Sequence, residues 1–210
     1  MLDNWLGKSK LEKWLESFVR KSFLGRISPN QMTLLGLIFG IISALFIFLS
    51  GFPQIQLFFL IISIIFIIIS FVLDAFDGIL ARLDEPTEFG GILDMFCDRT
   101  VEVFIIIAII STKPSLLIWP GIFSLGAMVL CITMFLVVGG AVKAEDLTKT
   151  QKVVYYRTGL MERSETFLFL LFIVIFIYIR LILLWIFSLL VFITALLRLY
   201  DAYKIFHTSN

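Results

Sequence analysis

Six apolar runs, at 32–50, 55–80, 90–111, 115–142, 164–179 and 181–203, fill most of this 210-residue chain. Each is close to the ~20 helical residues that cross a bilayer. The pattern predicts an all-α integral membrane protein with about six transmembrane helices. They form one membrane domain over 29–205, preceded by a juxtamembrane segment over 1–28 and followed by a short tail over 206–210. Composition points the same way, since 60% of the residues are hydrophobic, 23 are Phe, and the mean hydropathy of +1.04 is far above that of a soluble domain. An even number of spans puts both termini on one side, and Lys and Arg select which. Fourteen of them fall in the N-terminal segment, in the 143–163 loop and at Arg82, Arg198 and Lys204, against Lys113 and Arg180 on the opposite face. By the positive-inside rule both termini and the long loop face the cytoplasm, across a plasma or inner membrane.

Before the first span, Trp5, Leu11, Trp14, Leu15, Phe18, Val19 and Phe23 recur at roughly helical spacing among Lys8, Lys10, Lys13, Arg20, Lys21 and Arg26. That is the pattern of an amphipathic helix lying on anionic headgroups, or of one packed on the cytoplasmic ends of the other helices. It is not a signal peptide, because the apolar run starts too late and Pro29 intervenes.

Carboxylates stand where apolar helices end. Asp74 and Asp77 close one run, and Asp94 and Asp98 open the next. An Asp at the centre of a membrane helix costs roughly 2.5–3.5 kcal/mol, so four together need a compensating purpose. On helices, Asp74 and Asp77 share a face with Gly78 and Ala81, and Asp94 and Asp98 share one with Gly90. Two helices crossing through these faces would gather four carboxylates around a small volume, where a cation of charge +2 removes their mutual repulsion. Small residues at Gly78, Ala81, Gly90 and Gly91 suit close helix approach and a bulky ligand against backbone. With oxygen donors and no nearby His or paired Cys, the metal is a hard one, Mg²⁺, Mn²⁺ or Ca²⁺ rather than Zn²⁺. Arg82 adds a fork for phosphate oxygens. The lone His207 excludes a Ser-His-Asp triad, a Cys-His pair and a histidine zinc site, and the isolated Cys97 and Cys131 read as space-filling residues.

At these positions the chain resembles the CDP-alcohol phosphotransferase family, whose signature is D-x2-D-G-x2-A-R followed by G-x3-D-x3-D. Asp74, Asp77, Gly78, Ala81, Arg82, Gly90, Asp94 and Asp98 match all eight fixed positions, and Pro29, Asn30 and Thr33 match a P-N-x-x-T element before the first span. The resemblance implies transfer of a phosphatidyl-type group from a CDP-linked lipid to an alcohol with release of CMP, in phospholipid biosynthesis. It further implies two divalent cations, Mg²⁺ or Mn²⁺, on Asp74, Asp77, Asp94 and Asp98, with Asp98 as general base. Gly78, Ala81, Arg82 and Gly90 would hold the nucleotide, joined by Asn30 and Thr33. A homodimer in the lipid bilayer is implied too, and no nucleic-acid partner.

The 143–163 loop carries five cations that would attract an anionic acceptor, although the positive-inside rule alone accounts for basic residues there. Val142-Lys143-Ala144, Glu162-Arg163, Asp98-Arg99 with Glu102, and the run from Ile193 to Arg198 look most like the branch that uses inositol phosphate acceptors, phosphatidylinositol-phosphate and archaetidylinositol-phosphate synthases. Lys143, Arg163 and Arg198 are then the acceptor-binding residues, with Lys152 and Arg157 beside them. Glu102 would orient Arg99 or the acceptor, or form a structural ion pair. The chain departs from that branch at Glu145 and Thr166, where arginines are expected, which keeps an amino alcohol or neutral polyol open as acceptor. Membrane carboxylates also mark ion pathways. A cation-coupled transporter, however, needs polar groups near mid-membrane in several helices, and 32–50, 164–179 and 181–197 contain almost none. A non-catalytic descendant would not need all four Asp.

Overall fold

Helix boundaries follow local chemistry. Ser28 and Gln31 close a reciprocal capping box, the Ser28 hydroxyl accepting from the Gln31 N–H at 3.3 Å and Gln31 Oε1 accepting from the Ser28 N–H at 3.0 Å, with Pro29 pre-set at the first helical position. Thr87 caps a later helix by accepting from the Gly90 N–H at 3.0 Å. A computed structural model of the chain describes residues 10–84, 86–146, 161 and 163–207. Among these there are seven α-helices and no strand: α1 (Lys10–Ser22), α2 (Pro29–Leu49), α3 (Gln56–Leu83), α4 (Glu88–Thr112), α5 (Pro114–Asp146), α6 (Arg163–Ile175) and α7 (Arg180–His207). Short 3₁₀ turns at Pro53–Ile55 and Ile177–Ile179 precede α3 and α7.

Among the described residues, four segments are long and apolar enough to cross a membrane: Pro29–Leu49, Pro53–Leu83, Pro114–Gly140 and Ile177–Lys204. The two remaining expected spans fall short for different reasons. α4 has the length, but carries Asp98, Arg99 and Glu102 among its apolar residues. α6 stops after 13 residues, where Phe176 leaves helical geometry (φ −91°, ψ 72°), so the run 164–179 is helix, break and 3₁₀ turn. Arg180 repairs the break. It is buried, donating from Nε to the Ile173 carbonyl and from Nη2 to the Val174 carbonyl, both at 3.0 Å, and from Nη1 to Thr112 Oγ1 at 3.1 Å. Carbonyls at a helix end have no intrahelical donor, and lipid offers none.

Crossing of the two acid-bearing helices is not what brings them together. α3 and α4 scarcely touch; α2 packs extensively against both and organises them. The contact is close because α2 is small there. A Cβ on Gly36 would lie 3.5 Å from the Ser70 carbonyl and 4.0 Å from the Asp74 amide nitrogen, and one on Gly40 would collide with both methyls of Val101. Ser70 Oγ donates to the Gly36 carbonyl at 2.7 Å and Ser43 Oγ to the Ser63 carbonyl at 3.0 Å, satisfying the hydroxyls where apolar side chains do not reach. α5 and α7 form a second long pairing, and buried Ile105, Ile106, Ile109, Ile173, Leu184 and Phe187 belong to the core that joins the two halves. Ile38, Leu57, Phe58 and Trp119 on the outer faces stay exposed, as lipid contact requires of a multi-pass protein.

α1 docks by one side. Val19 is fully buried against Ile79 and Leu80 near the end of α3, with Leu15, Phe23 and Phe76 around them, while Trp14 and Phe18 stack on the outside with ring centres 5.9 Å apart. Trp5 and Lys8 lie outside the described residues.

The Gly40–Val101 contact yields a prediction. β-branched Val101 cannot swing its methyls away cheaply, so Gly40→Ala should lower thermal stability in detergent by about 1–3 kcal/mol. Adding Val101→Ala should restore most of the loss. A Gly40→Ala protein that melts like wild type would mean α2 and α4 are not held at this spacing.

Candidate active site

Helical spacing and the α2 wedge together set the acidic centre. Asp74 comes from α3, Asp94 and Asp98 from α4, and one carboxylate oxygen of each lies within 4.8 Å of the others. Asp77, one turn beyond Asp74, is buried, and its Oδ2 has no hydrogen-bond partner. It lines a small cavity with Asp74, Cys97, Asp98 and Glu102, and also a larger one that holds Asp94, so it sits between the two. An unpartnered carboxylate oxygen in a protein interior is costly, and a divalent cation is the group that would relieve it. Oxygen-only donors at this density fit a hard ion such as Mg²⁺ or Mn²⁺. The Cys97 thiol lines the small cavity but is not part of the clustered donor set.

The larger cavity, about 350 Å³, collects the residues that the sequence assigns to a nucleotide: Asn30, Thr33, Gly78, Ala81 and Gly90, with Gly91 added. Gly78 and Gly91 have open space where a Cβ would be. Their smallness therefore leaves room for a ligand and does not serve helix contact, which falls to Gly36 and Gly40. Gly90 is confined, because a Cβ there would come to 2.9 Å from Thr87 Oγ1 and 3.1 Å from Asn30 Oδ1. Arg82, on the last turn of α3, is exposed and does not line this cavity.

A third cavity of about 270 Å³ lies between α4, α5 and α7 and contains Arg198 of the expected acceptor residues. Thr166, the departure from the inositol phosphate pattern, lines it as well, and so does Arg99, which the sequence placed only as a partner for Glu102. Arg99 and Glu102 are indeed ion-paired. Only the fold could assign Arg99 to a cavity, since adjacent residues on α4 face different ones. α5 runs on to Asp146, so Lys143 is helical and the connection to α6 is shorter than 143–163. The structure describes neither the side chain of Lys143 nor that of Arg163, and Lys152 and Arg157 lie outside the described residues.

A family model for CDP-alcohol phosphatidyltransferase matches residues 26–196, from the start of the capped segment almost to Arg198. The chain belongs to the CDP-alcohol phosphatidyltransferase family. It is accordingly a membrane phosphotransferase of phospholipid biosynthesis, in a family that depends on divalent metal, and it carries the acidic cluster such a metal needs. Inner membrane protein YnjF of Escherichia coli (strain K12) is 27% identical over 171 residues, which cover 80% of this chain and 79% of that protein. The fold is shared with Mycobacterium tuberculosis phosphatidylinositol phosphate synthase (PgsA1), solved with CDP-DAG bound. The TM-score is 0.67 over 90% of this chain and 94% of that one, at 18% identity.

The orphaned oxygen of Asp77 leads to a stability test. Without metal, Asp77→Asn should melt at a higher temperature than wild type, because a neutral amide is cheaper to bury than an unpartnered carboxylate. At a hundredfold excess of Mg²⁺ over its Kd, binding adds ~2.7 kcal/mol to wild type and much less to the variant, closing or reversing the gap. Thermal unfolding with EDTA and with Mg²⁺ reads both; identical Mg²⁺ responses would remove Asp77 from the metal site.

Proposed function

We propose that this enzyme transfers the phosphatidyl-type group of a CDP-linked lipid, CDP-diacylglycerol or its ether analogue, to the hydroxyl of an alcohol acceptor and releases CMP. The observation that carries the reading is the convergence of Asp74, Asp94 and Asp98 beside a cavity lined by Gly78, Ala81, Gly90, Asn30 and Thr33. Two divalent cations, Mg²⁺ or Mn²⁺, held by Asp74, Asp77, Asp94 and Asp98, would neutralise the diphosphate and stabilise the departing CMP. The chain's own residues do the rest. Gly78, Ala81 and Gly90 let the nucleotide lie against backbone, and Arg82 supplies a guanidinium to phosphate oxygens. Asp98 takes the proton of the acceptor hydroxyl as its oxygen bonds to the lipid-side phosphorus and the bond to the CMP oxygen breaks. Arg198, with Lys143, Arg163, Lys152 and Arg157 on the same side, would receive the acceptor.

The same reading covers the membrane. α4 and the broken α6 join the four apolar segments as spans five and six, so that both termini and the carboxylates face the cytoplasm, α1 lies at the headgroup boundary, and residues 29–205 form one domain. A homodimer is carried over on family likeness alone.

Purified protein given labelled CDP-diacylglycerol and a panel of alcohols should release CMP with one class of acceptor. EDTA should abolish turnover and Mg²⁺ or Mn²⁺ restore it; full activity in chelator removes the two-metal reading. Asp74→Asn and Asp94→Asn should lose turnover while folding normally. Asp98→Asn should cost turnover more than donor binding, and equal losses in both would make it a plain ligand.

Orientation is checked separately. Single cysteines introduced by Thr150→Cys and Lys113→Cys should be labelled only from the cytoplasm and only from outside, respectively. The opposite result inverts the molecule.

A further inference from the structure

The end of α3 that carries the acidic motif presents two stripes. Asp74, Asp77, Gly78 and Ala81 line the cavities of the active site, and Phe76, Ile79, Leu80 and Leu83 pack into the small cluster that seats α1. The second set repeats the spacing of the first two residues further on, which puts the two stripes on roughly opposite sides of the helix. Whatever holds α1 in place therefore backs the wall of the cavity assigned to the nucleotide. That seat is small. Of the described α1 side chains only Val19 is fully buried, and the helix has 13 residues, a length at which an isolated helix is marginal in water.

Residues four apart share a stripe of a helix, so Leu15 with Val19 forms the docked stripe and Trp14 with Phe18 the one beside it. Trp14 is 64% exposed and Phe18 43%, although their rings stack and Phe18 also reaches Phe76, next to Asp77, at 5.9 Å. An exposed indole stacked on a phenyl ring suits the headgroup boundary of a bilayer, where an apolar body and a polar N–H are both satisfied. Lys21 is exposed on the stripe beyond the rings, and Arg26 is exposed in the turn to α2 that Gly25 makes at φ +75°. Arg20 is exposed as well. Across residues 14–27 these three cations face one acid, Glu16, so the surface that matches this side of α1 is apolar beneath and negative on top.

We propose that the Trp14–Phe18 side of α1 binds the anionic phospholipid surface of the bilayer, and that this contact holds α1 against α3 so that donor binding follows the anionic lipid content of the membrane. This rests on the transferase reading above and adds a partner and a regulation to its donor site. The two contacts use neighbouring stripes, so both form at once, and each raises the effective concentration of the other. A negative surface attracts Lys21 and Arg26 within a Debye length, about 10 Å at 0.1 M salt. A neutral surface receives the rings and adds no charge attraction. Val19 is the residue that passes the effect on, because it alone is buried between α1 and the residues flanking Gly78 and Ala81.

The test uses the full-length protein in nanodiscs of phosphatidylcholine, alone or mixed with phosphatidylglycerol. Amide hydrogen exchange over 10–22 reads the lipid contact without reference to turnover. Phosphatidylglycerol should slow it roughly tenfold in wild type, the scale expected of two basic side chains at a negative surface, and about 1 M salt should remove the difference. At saturating Mg²⁺, with the CDP-diacylglycerol fraction varied, the donor KM for CMP release should fall several-fold in the anionic discs and kcat should change much less. Lys21→Gln with Arg26→Gln should lose most of both responses and match wild type in neutral discs. Val19→Ala keeps the rings and the cations, so its exchange should still respond to phosphatidylglycerol while its donor KM no longer does. Equal exchange in the two discs, or a double variant that responds as wild type does, overturns the lipid contact. Slowed exchange with an unchanged donor KM overturns the regulation, as does a Val19→Ala protein whose KM still follows the lipid. No CMP release in either disc overturns the transferase reading instead, and the exchange result still decides the lipid contact.

Discussion

The carboxylate centre depends on how closely one apolar helix can approach two others. α2 carries no catalytic acid, yet α3 and α4 are placed by it and scarcely by each other. Gly36 admits the backbone around Ser70 and Asp74, and Gly40 admits Val101, three residues past Asp98. Between helices in lipid there is little hydrophobic gain, since the tails are as apolar as the side chains, so close van der Waals contact and polar links carry the association. The Ser70 to Gly36 bond is one such link, on the same stretch of α3 that leads into Asp74. The acids therefore inherit their separation from a stripe with no chemistry of its own.

A membrane protein that keeps charge inside must answer for each one. α4 does so in three ways. Asp94 and Asp98 share a cluster that could hold a cation, Glu102 is matched by Arg99 on the same helix, and Arg99 lines a cavity. Among the buried side chains of the described residues, Asp77 alone is left with an unpartnered oxygen. Strain of this kind persists where function demands it, with the surrounding packing stable enough to impose it.

Much of this was legible in the sequence, because the signals were strong ones: apolar length for the four long membrane-compatible segments, and the eight fixed positions for the family. What escaped were relations between segments. Spacing put Gly78, Ala81, Gly90 and Gly91 on the right faces but could not say that Gly78 and Gly91 look into a cavity while Gly36 and Gly40 make the helix contact. A glycine reads the same in both roles. Hydropathy ran smoothly through Phe176, so the break in α6 was invisible; Arg180, just past the 3₁₀ turn, makes it possible. Arg99 was visible as an ion-pair partner, and its cavity was not, because the far walls come from α5 and α7, at Met128 and beyond in the chain.

Arg180 bears on how the chain enters the membrane. Its guanidinium reaches the Ile173 and Val174 carbonyls only when the turn between α6 and α7 is formed, and reaches Thr112 only when α4 lies beside that turn. Until then the bilayer would face an unsatisfied cation and two bare carbonyls at once, each expensive in hydrocarbon. One side chain thus fixes both the turn between α6 and α7 and the seat of that turn on α4.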